Sequence, residues 1–251
     1  MFQRPLTPIF VSGATGYLAS HIIKLLLEQD FQVRGSVRSL SNTEKHSFLF
    51  SLVPSKSQNL ILVEADLTNE ESWIKALEGC EYVIHTASPI PPYVPKDEND
   101  LIIPSVNGTR NVFLAAVKNK CKKIIHTSSG LTICIGNGGK LCNEGDWSDA
   151  SKCFHYAKSK FLSEKKVWEL FEEFKEQIQL TVINPTLIFG PTFTKHNNAS
   201  EALIAAILNG DFPGVPCEDV GYAAVDVRDA ALAHVNALFR EESNGKRLEQ
   251  I

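Results

Sequence analysis

The chain has no C-x-x-C pair, and its six cysteines (Cys80, Cys121, Cys134, Cys142, Cys153, Cys217) do not group with histidine as zinc ligands do. A metal-stapled or disulfide-stapled fold is therefore set aside, and reduced thiols in a cytoplasmic protein are expected. No apolar run approaches the ~18 residues of a membrane span. The first strand is expected to start near Thr7 or Pro8, which leaves no room for a cleaved leader. Basic residues are in no excess: 25 Lys and Arg face 29 Asp and Glu, for a net charge of −4 with mixed signs throughout. That balance argues against nucleic acid and against a polybasic membrane surface as partners. Internal repeats and low-complexity tracts are missing as well.

What is present suits one large α/β unit. The 251 residues are 43% hydrophobic and 22% charged, ordinary values for a globular chain. Short Val/Ile-rich runs at Ile9–Val11, Gln32–Val37, Leu60–Val63, Tyr82–Thr86, Lys123–Thr127 and Gln179–Ile183 read as strands. Their near-continuous apolar character fits a parallel sheet covered on both faces. Helical patterns fall between them at Leu18–Glu28, Glu44–Leu52, Glu70–Leu77, Glu98–Lys118 and Phe154–Glu176. Pro104 predicts a kink or late start in the fourth. Gly136 to Asp149 reads as a surface loop. After Asn184-Pro185 the alternation loosens, with helical patterns at Ala199–Asn209 and Val227–Phe239. A strand begins near Gly245. The expected fold is a Rossmann-type, doubly wound parallel sheet over residues 1–185, followed by a small C-terminal substrate-binding region at 186–251.

The turn Ser12-Gly13-Ala14-Thr15-Gly16-Tyr17-Leu18-Ala19 sits between the first strand and first helix. Gly13 permits a tight turn and Gly16 lets the backbone approach a pyrophosphate. Ala19 permits close packing of helix on strand. The free N–H groups of the helix start would face the anion. At the end of the second strand an NAD site usually carries an acid for the ribose hydroxyls. Here the chain reads Arg34-Gly35-Ser36-Val37-Arg38-Ser39, and the next acid is Glu44. Arg38, with Lys45 as a second charge, is suited to the 2′-phosphate of NADP(H).

Tyr156 and Lys160 are four residues apart in a helical pattern and share a face. Carbonyl reduction needs a proton donor. A nearby ammonium would lower the phenol's pKa from its usual ~10. Ser129 closes the fifth strand and lies 27 residues before Tyr156. It could donate to a developing oxyanion. Ser128 competes for that role, because strand alternation lets only one of the two face the site. Asn107 could hold a water in a proton relay, or make only a local helix contact.

These stretches, together with Ala65-Asp66-Leu67, His85-Thr86-Ala87-Ser88-Pro89, Val106-Asn107-Gly108-Thr109, Trp147-Ser148-Asp149 and Asn184-Pro185-Thr186, resemble the extended short-chain dehydrogenase/reductase family. Within it they are similar to the dihydroflavonol reductase, cinnamoyl-CoA reductase and methylglyoxal (aldehyde) reductase subgroup. The resemblance runs from about Ile9 to Arg247. It implies that Asp66 and Leu67 contact the adenine, that Thr86, Ala87 and Ser88 lie along the cofactor, and that Pro185 sits by the nicotinamide. It also implies a small-molecule carbonyl substrate in a pocket near Ser88, Pro89, Ile90, Cys134 and Thr186–Ile188. Cys134 stands where flavonoid-reducing members carry Asn or Asp, which argues against a flavonoid. Family members continue past the equivalent of Ile251, so residues 186–251 are expected to be a partial substrate region. The leading expectation is an NADPH-dependent carbonyl reductase. The alternatives are a nucleotide-sugar epimerase or dehydratase, against which Arg38 counts, and a non-catalytic NADP(H)-binding protein. No oligomeric state is legible.

Overall fold

A computed structural model describes residues 7–89, 95–194, 202, 205–206, 208–210 and 223–250. Seven strands form one parallel sheet: β1 (Ile9–Val11), β2 (Val33–Val37), β3 (Leu60–Glu64), β4 (Tyr82–His85), β5 (Lys123–Thr127), β6 (Gln179–Pro185) and β9 (Lys246–Gln250). Their spatial order is β3-β2-β1-β4-β5-β6-β9. Two further strands, β7 (Leu187–Phe189) and β8 (Ala224–Asp226), make a separate parallel pair. The order reverses between β1 and β4. In an open parallel sheet that reversal opens a crevice beyond the carboxyl ends of the strands.

The sheet is parallel because each strand must bury both of its faces. Ile9, Val11, Ile84, Ile125 and Ile183 point into a layer with α1 (Tyr17–Glu28) and the helix Val227–Leu238, here α7. Phe10, Val83, Ile124 and Val182 point the other way, toward α3 (Glu70–Ala76), α4 (Asn99–Lys118) and α6 (His155–Phe174). Phe10 meets Trp73 edge-on at 6.1 Å between ring centroids. Each fully buried aliphatic side chain stabilises such layers by roughly 1.5–3 kcal/mol.

Six strands and five helices lie within a residue or two of the sequence expectation, as does the strand start near Gly245. The Glu44–Leu52 pattern splits into a short helix, α2 (Thr43–His46), and a 3₁₀ turn (Ser47–Ser51). Pro104 does not delay α4, which runs through it. The proline is the sixth residue of α4 and lies inside the helix, where it removes the bond its N–H would have given to the Asp100 carbonyl. The division expected at 185/186 does not mark the end of the sheet. β9 pairs with β6, and α7 belongs to the same buried layer as α1. Most of the helix expected at Ala199–Asn209 lies outside the described residues, as do Ile90 and Cys217. The other five cysteines are free thiols.

Candidate active site

The glycine-rich turn joins β1 to α1 and is locked to its neighbours. Gly13 has φ +64°, and an added Cβ would lie 3.2 Å from that of Ala87. Its N–H donates to Ser36 Oγ on β2 at 3.0 Å. Gly35, one residue earlier on β2, leaves room for Ala14, since a Cβ there would sit 2.8 Å away. Ser12 Oγ accepts the N–H groups of Thr86 and Ala87, both at 2.9 Å. With both lone pairs used, its own proton goes to His85 Nδ1 at 2.8 Å, which leaves His85 the Nε2–H tautomer. Burial, reinforced by the Lys160 cation, lowers the His85 pKa to about 3. The glycine turn and the Thr86–Ser88 segment are thus held together across the point where the strand order reverses.

Helix α1 opens differently from α3 and α7. Those two carry side-chain caps, Asn69 and Asp226, each accepting a first-turn N–H. The cap of α1 is Gly16, which offers no side chain. Thr15 and Gly16 are exposed, Tyr17 is half-buried and Leu18 is buried. Uncapped N–H groups over a cradle closed to any Cβ at Gly13 fit a pyrophosphate. Arg38 and Lys45 are exposed, the first directly after β2 and the second on α2. The Asp66 carboxylate is held by Thr68, whose N–H and hydroxyl donate to it at 2.8 and 2.5 Å. Those bonds, with a smaller contribution from Arg38, hold its pKa below the usual carboxylate value. Leu67 packs against Gly108 of α4.

On the other side of the crevice, α6 carries Tyr156 and Lys160. Lys160 is 7% exposed, and its Nζ donates to the Thr127 carbonyl at the end of β5 at 3.1 Å. That bond seats this face of the helix on the carboxyl edge of the sheet, two residues before Ser129. Burial lowers the Lys160 pKa to about 8, with Glu164 acting in the opposite direction. Burial raises the Tyr156 phenol to about 12. The expected lowering of Tyr156 by Lys160 is therefore not found, because the ammonium is turned to Thr127 and desolvation alone acts on the phenol.

Ser128 and Ser129 follow the end of β5 and make different bonds. Ser128 Oγ donates to the buried Glu164 Oε2 at 2.5 Å. Ser129 Oγ accepts only the N–H of Leu131, at 3.2 Å, among the bonds of the described residues. Pro185 ends β6 and accepts the Gly130 N–H at 2.9 Å. Asn107 is exposed on α4. Of the expected pocket, Ser88, Pro89 and Thr186–Ile188 are half-buried and Cys134 is exposed.

Sequence reasoning missed the polar groups beneath this edge. His126 on β5 is paired in register with His85 on β4, with ring centroids 5.5 Å apart. Burial holds its pKa well below the ordinary value, helped by the neighbouring His85 and Lys160. Glu164, Asn184 and Arg247 were not singled out as functional either. The only signal for Glu164 was its place four residues after Lys160, a spacing that usually marks an exposed helix pair.

The NAD dependent epimerase/dehydratase family matches the chain over residues 9–248. Tetraketide alpha-pyrone reductase 2 of Arabidopsis thaliana is 36% identical over 248 residues, 94% of this chain and 75% of that protein. Cinnamoyl-CoA reductase 1 of the same plant is 36% identical, over 96% of this chain and 69% of the relative. Among solved structures, yeast methylglyoxal/isovaleraldehyde reductase Gre2 complexed with NADPH superposes with a TM-score of 0.82 at 29% identity. That match covers 96% of this chain and 77% of Gre2. Sheet order, glycine cradle and sequence likeness agree: the chain belongs to the NAD dependent epimerase/dehydratase family.

Proposed function

We propose that this chain is an NADPH-dependent carbonyl reductase, converting an aldehyde or ketone to the alcohol with Tyr156 as proton donor. Its reductase relatives make it an oxidoreductase of the short-chain dehydrogenase/reductase type. The carrying observation is the bond from Lys160 Nζ to the Thr127 carbonyl. It seats the helical face shared by Tyr156 and Lys160 on the sheet edge where Ser129 follows β5.

The residues divide the work. The Gly13–Leu18 turn would hold the pyrophosphate. Arg38 and Lys45 would hold the 2′-phosphate, since no acid follows β2 to compete for the ribose. Asp66 and Leu67 would flank the adenine, and Thr86, Ala87, Ser88 and Pro185 the remainder. When bound, NADPH supplies the hydride that the carbonyl carbon receives. Ser129 Oγ orients the carbonyl oxygen and stabilises charge on it. Tyr156 gives its phenolic proton to that oxygen, and a high phenol pKa keeps the proton in place until the alkoxide forms. Lys160 then stabilises the resulting phenolate. A cation whose proton affinity is already lowered by burial gains most from that new anion.

Tyr156→Phe tests the reading. Turnover over a panel of aldehydes and ketones should fall at least about a hundredfold, while NADPH still raises the melting temperature. Retained turnover refutes the role of Tyr156. Stabilisation of the unsubstituted protein by NADPH, without turnover on any carbonyl, would favour a binding function alone.

A further inference from the structure

Glu164 takes no part in the chemistry above, yet it is completely buried one helical turn beyond Lys160. A carboxylate in such a place is costly unless its lone pairs are used. Oε2 accepts Ser128 Oγ at 2.5 Å, Thr132 Oγ1 at 2.6 Å and Asn184 Nδ2 at 2.8 Å. Oε1 accepts Arg247 Nε at 2.6 Å and Trp168 Nε1 at 3.3 Å. Apart from Trp168 of α6 itself, the partners come from the residue after β5, from the short helix α5 (Leu131–Cys134), from β6 and from β9. These elements surround Ser129.

Arg247 extends the assembly outward. Its side chain is 8% exposed. Its other N–H groups donate to the Glu144 and Asp146 carbonyls, at 2.8 and 2.5 Å, and to Thr132 Oγ1 at 3.2 Å. The guanidinium lies 3.8 Å from the Trp147 ring centroid, and the Lys165 ammonium lies 3.4 Å from the same point. One arginine thus ties the last strand to the loop before α6 and to the carboxylate within it.

We propose that Glu164, with Arg247 as its counter-ion, is a positioning residue of the reductase site: it draws Ser128 inward so that Ser129 faces the crevice, and it sets the charge environment of Lys160. The inference rests on the reductase reading above. Two observations separate it from a simple structural tie. The bonds converge on the segment that carries Ser129, whose own carbonyl accepts the Thr132 N–H at 3.0 Å and Asn184 Nδ2 at 3.3 Å. The groups around Lys160 are Tyr156 and Glu164 on α6, His85 on β4 and His126 on β5. Of these only Glu164 is a carboxylate, and it is the charge that opposes the effect of burial on Lys160.

Glu164→Gln removes the charge with little change of shape. With NADPH and a reducible aldehyde, kcat per folded molecule should fall by about tenfold or more, as expected when reacting groups are slightly misplaced. KM for NADPH should move less than about threefold, because the cradle of β1 and α1 is untouched. The alkaline limb of kcat should shift down by about one pH unit, since Lys160 loses its anionic neighbour. Arg247→Lys, which keeps a cation without the planar fork, should recover part of the kcat lost in Arg247→Met. That pair carries the kinetic arm if Glu164→Gln does not fold. A ¹³C titration of the lysine ε-carbons, with the Lys160 signal assigned by its loss in Lys160→Arg, reads the charge effect without turnover. Unchanged kcat in every variant, with an unmoved Lys160 titration, overturns the proposal even if melting temperatures fall. A Lys160 titration that moves in a protein reducing no carbonyl supports the electrostatic role and refutes the reductase reading alone.

Discussion

Replacing Lys160 by methionine should make the ligand-free protein more stable while abolishing turnover. Burial lowers the Lys160 pKa from the ordinary 10.5 to about 8. Each tenfold loss of proton affinity is worth about 1.4 kcal/mol, so keeping the ammonium charged in the fold costs ~3 kcal/mol below pH 8. Methionine removes that cost and fills nearly the same volume. It also gives up the bond from a charged donor to the Thr127 carbonyl, worth about 2 kcal/mol. A gain of ~1 kcal/mol at pH 7 remains, and Arg247 still neutralises Glu164. The sign of the pH dependence follows from the direction of the shift. Between about 8 and 10.5 the unfolded chain binds a proton at this lysine that the native state does not. Native stability from this group therefore rises with pH through that window. The advantage of Lys160→Met should shrink by ~2 kcal/mol between pH 7 and pH 9.5. Lys123, whose pKa burial also lowers to about 8, is common to both proteins and cancels. Urea unfolding of both proteins across that range, without NADPH, measures the difference. A less stable variant at pH 7, or a gap independent of pH, would refute the reasoning.

Arg38→Asp should weaken NADPH binding by about tenfold or more while leaving NADH nearly unchanged, as read by fluorescence titration. An unchanged preference would place 2′-phosphate recognition elsewhere. Gly13→Ala forces a side chain into φ +64° and against Ala87. It should cost about 1–3 kcal/mol and lose the thermal stabilisation given by NADPH. Ser129→Ala should lower kcat by about a hundredfold with little change in melting temperature. Ser128→Ala should instead destabilise by about 1–3 kcal/mol, because Glu164 loses a donor. Interchange of those two results would reassign the hydroxyl.

The parts of the fold that were legible are those where one physical demand dominates. β1, β4 and β5 bury both faces and read as nearly unbroken apolar runs, so their bounds lie within a residue of expectation. β7 and β8 are three-residue strands in which only Val225 is buried, too short for a hydrophobic period to mark them. Helix α5 has four residues and owes its shape to the Ser129 and Gly130 carbonyls that accept its first N–H groups. Asp66 shows local chemistry taking part in a family pattern, since its carboxylate closes a turn on Thr68. Spacing alone could place Tyr156 and Lys160 on one face, but not the direction of the phenol's pKa. That depends on where the ammonium turns, and the tertiary structure turns it to Thr127.

Spacing gave no sign of the role of Glu164. A glutamate four residues after a lysine suggests a solvated pair worth a few tenths of a kcal/mol. Here the helix face carrying both is pressed onto the ends of β5, β6 and β9, so both side chains are buried. The pair then cannot be balanced locally, because burial raises the cost of each charge more than their mutual attraction returns. The imbalance is met from outside the helix. Arg247 arrives on the final strand and Asn184 on the one beside it. Burial is the main influence on Lys160 and Glu164 opposes it, so the distant strands act through the partners they give Glu164. A change of net charge at residue 247 should reach Lys160 through Glu164, although residue 247 lies 87 positions from Lys160 in sequence.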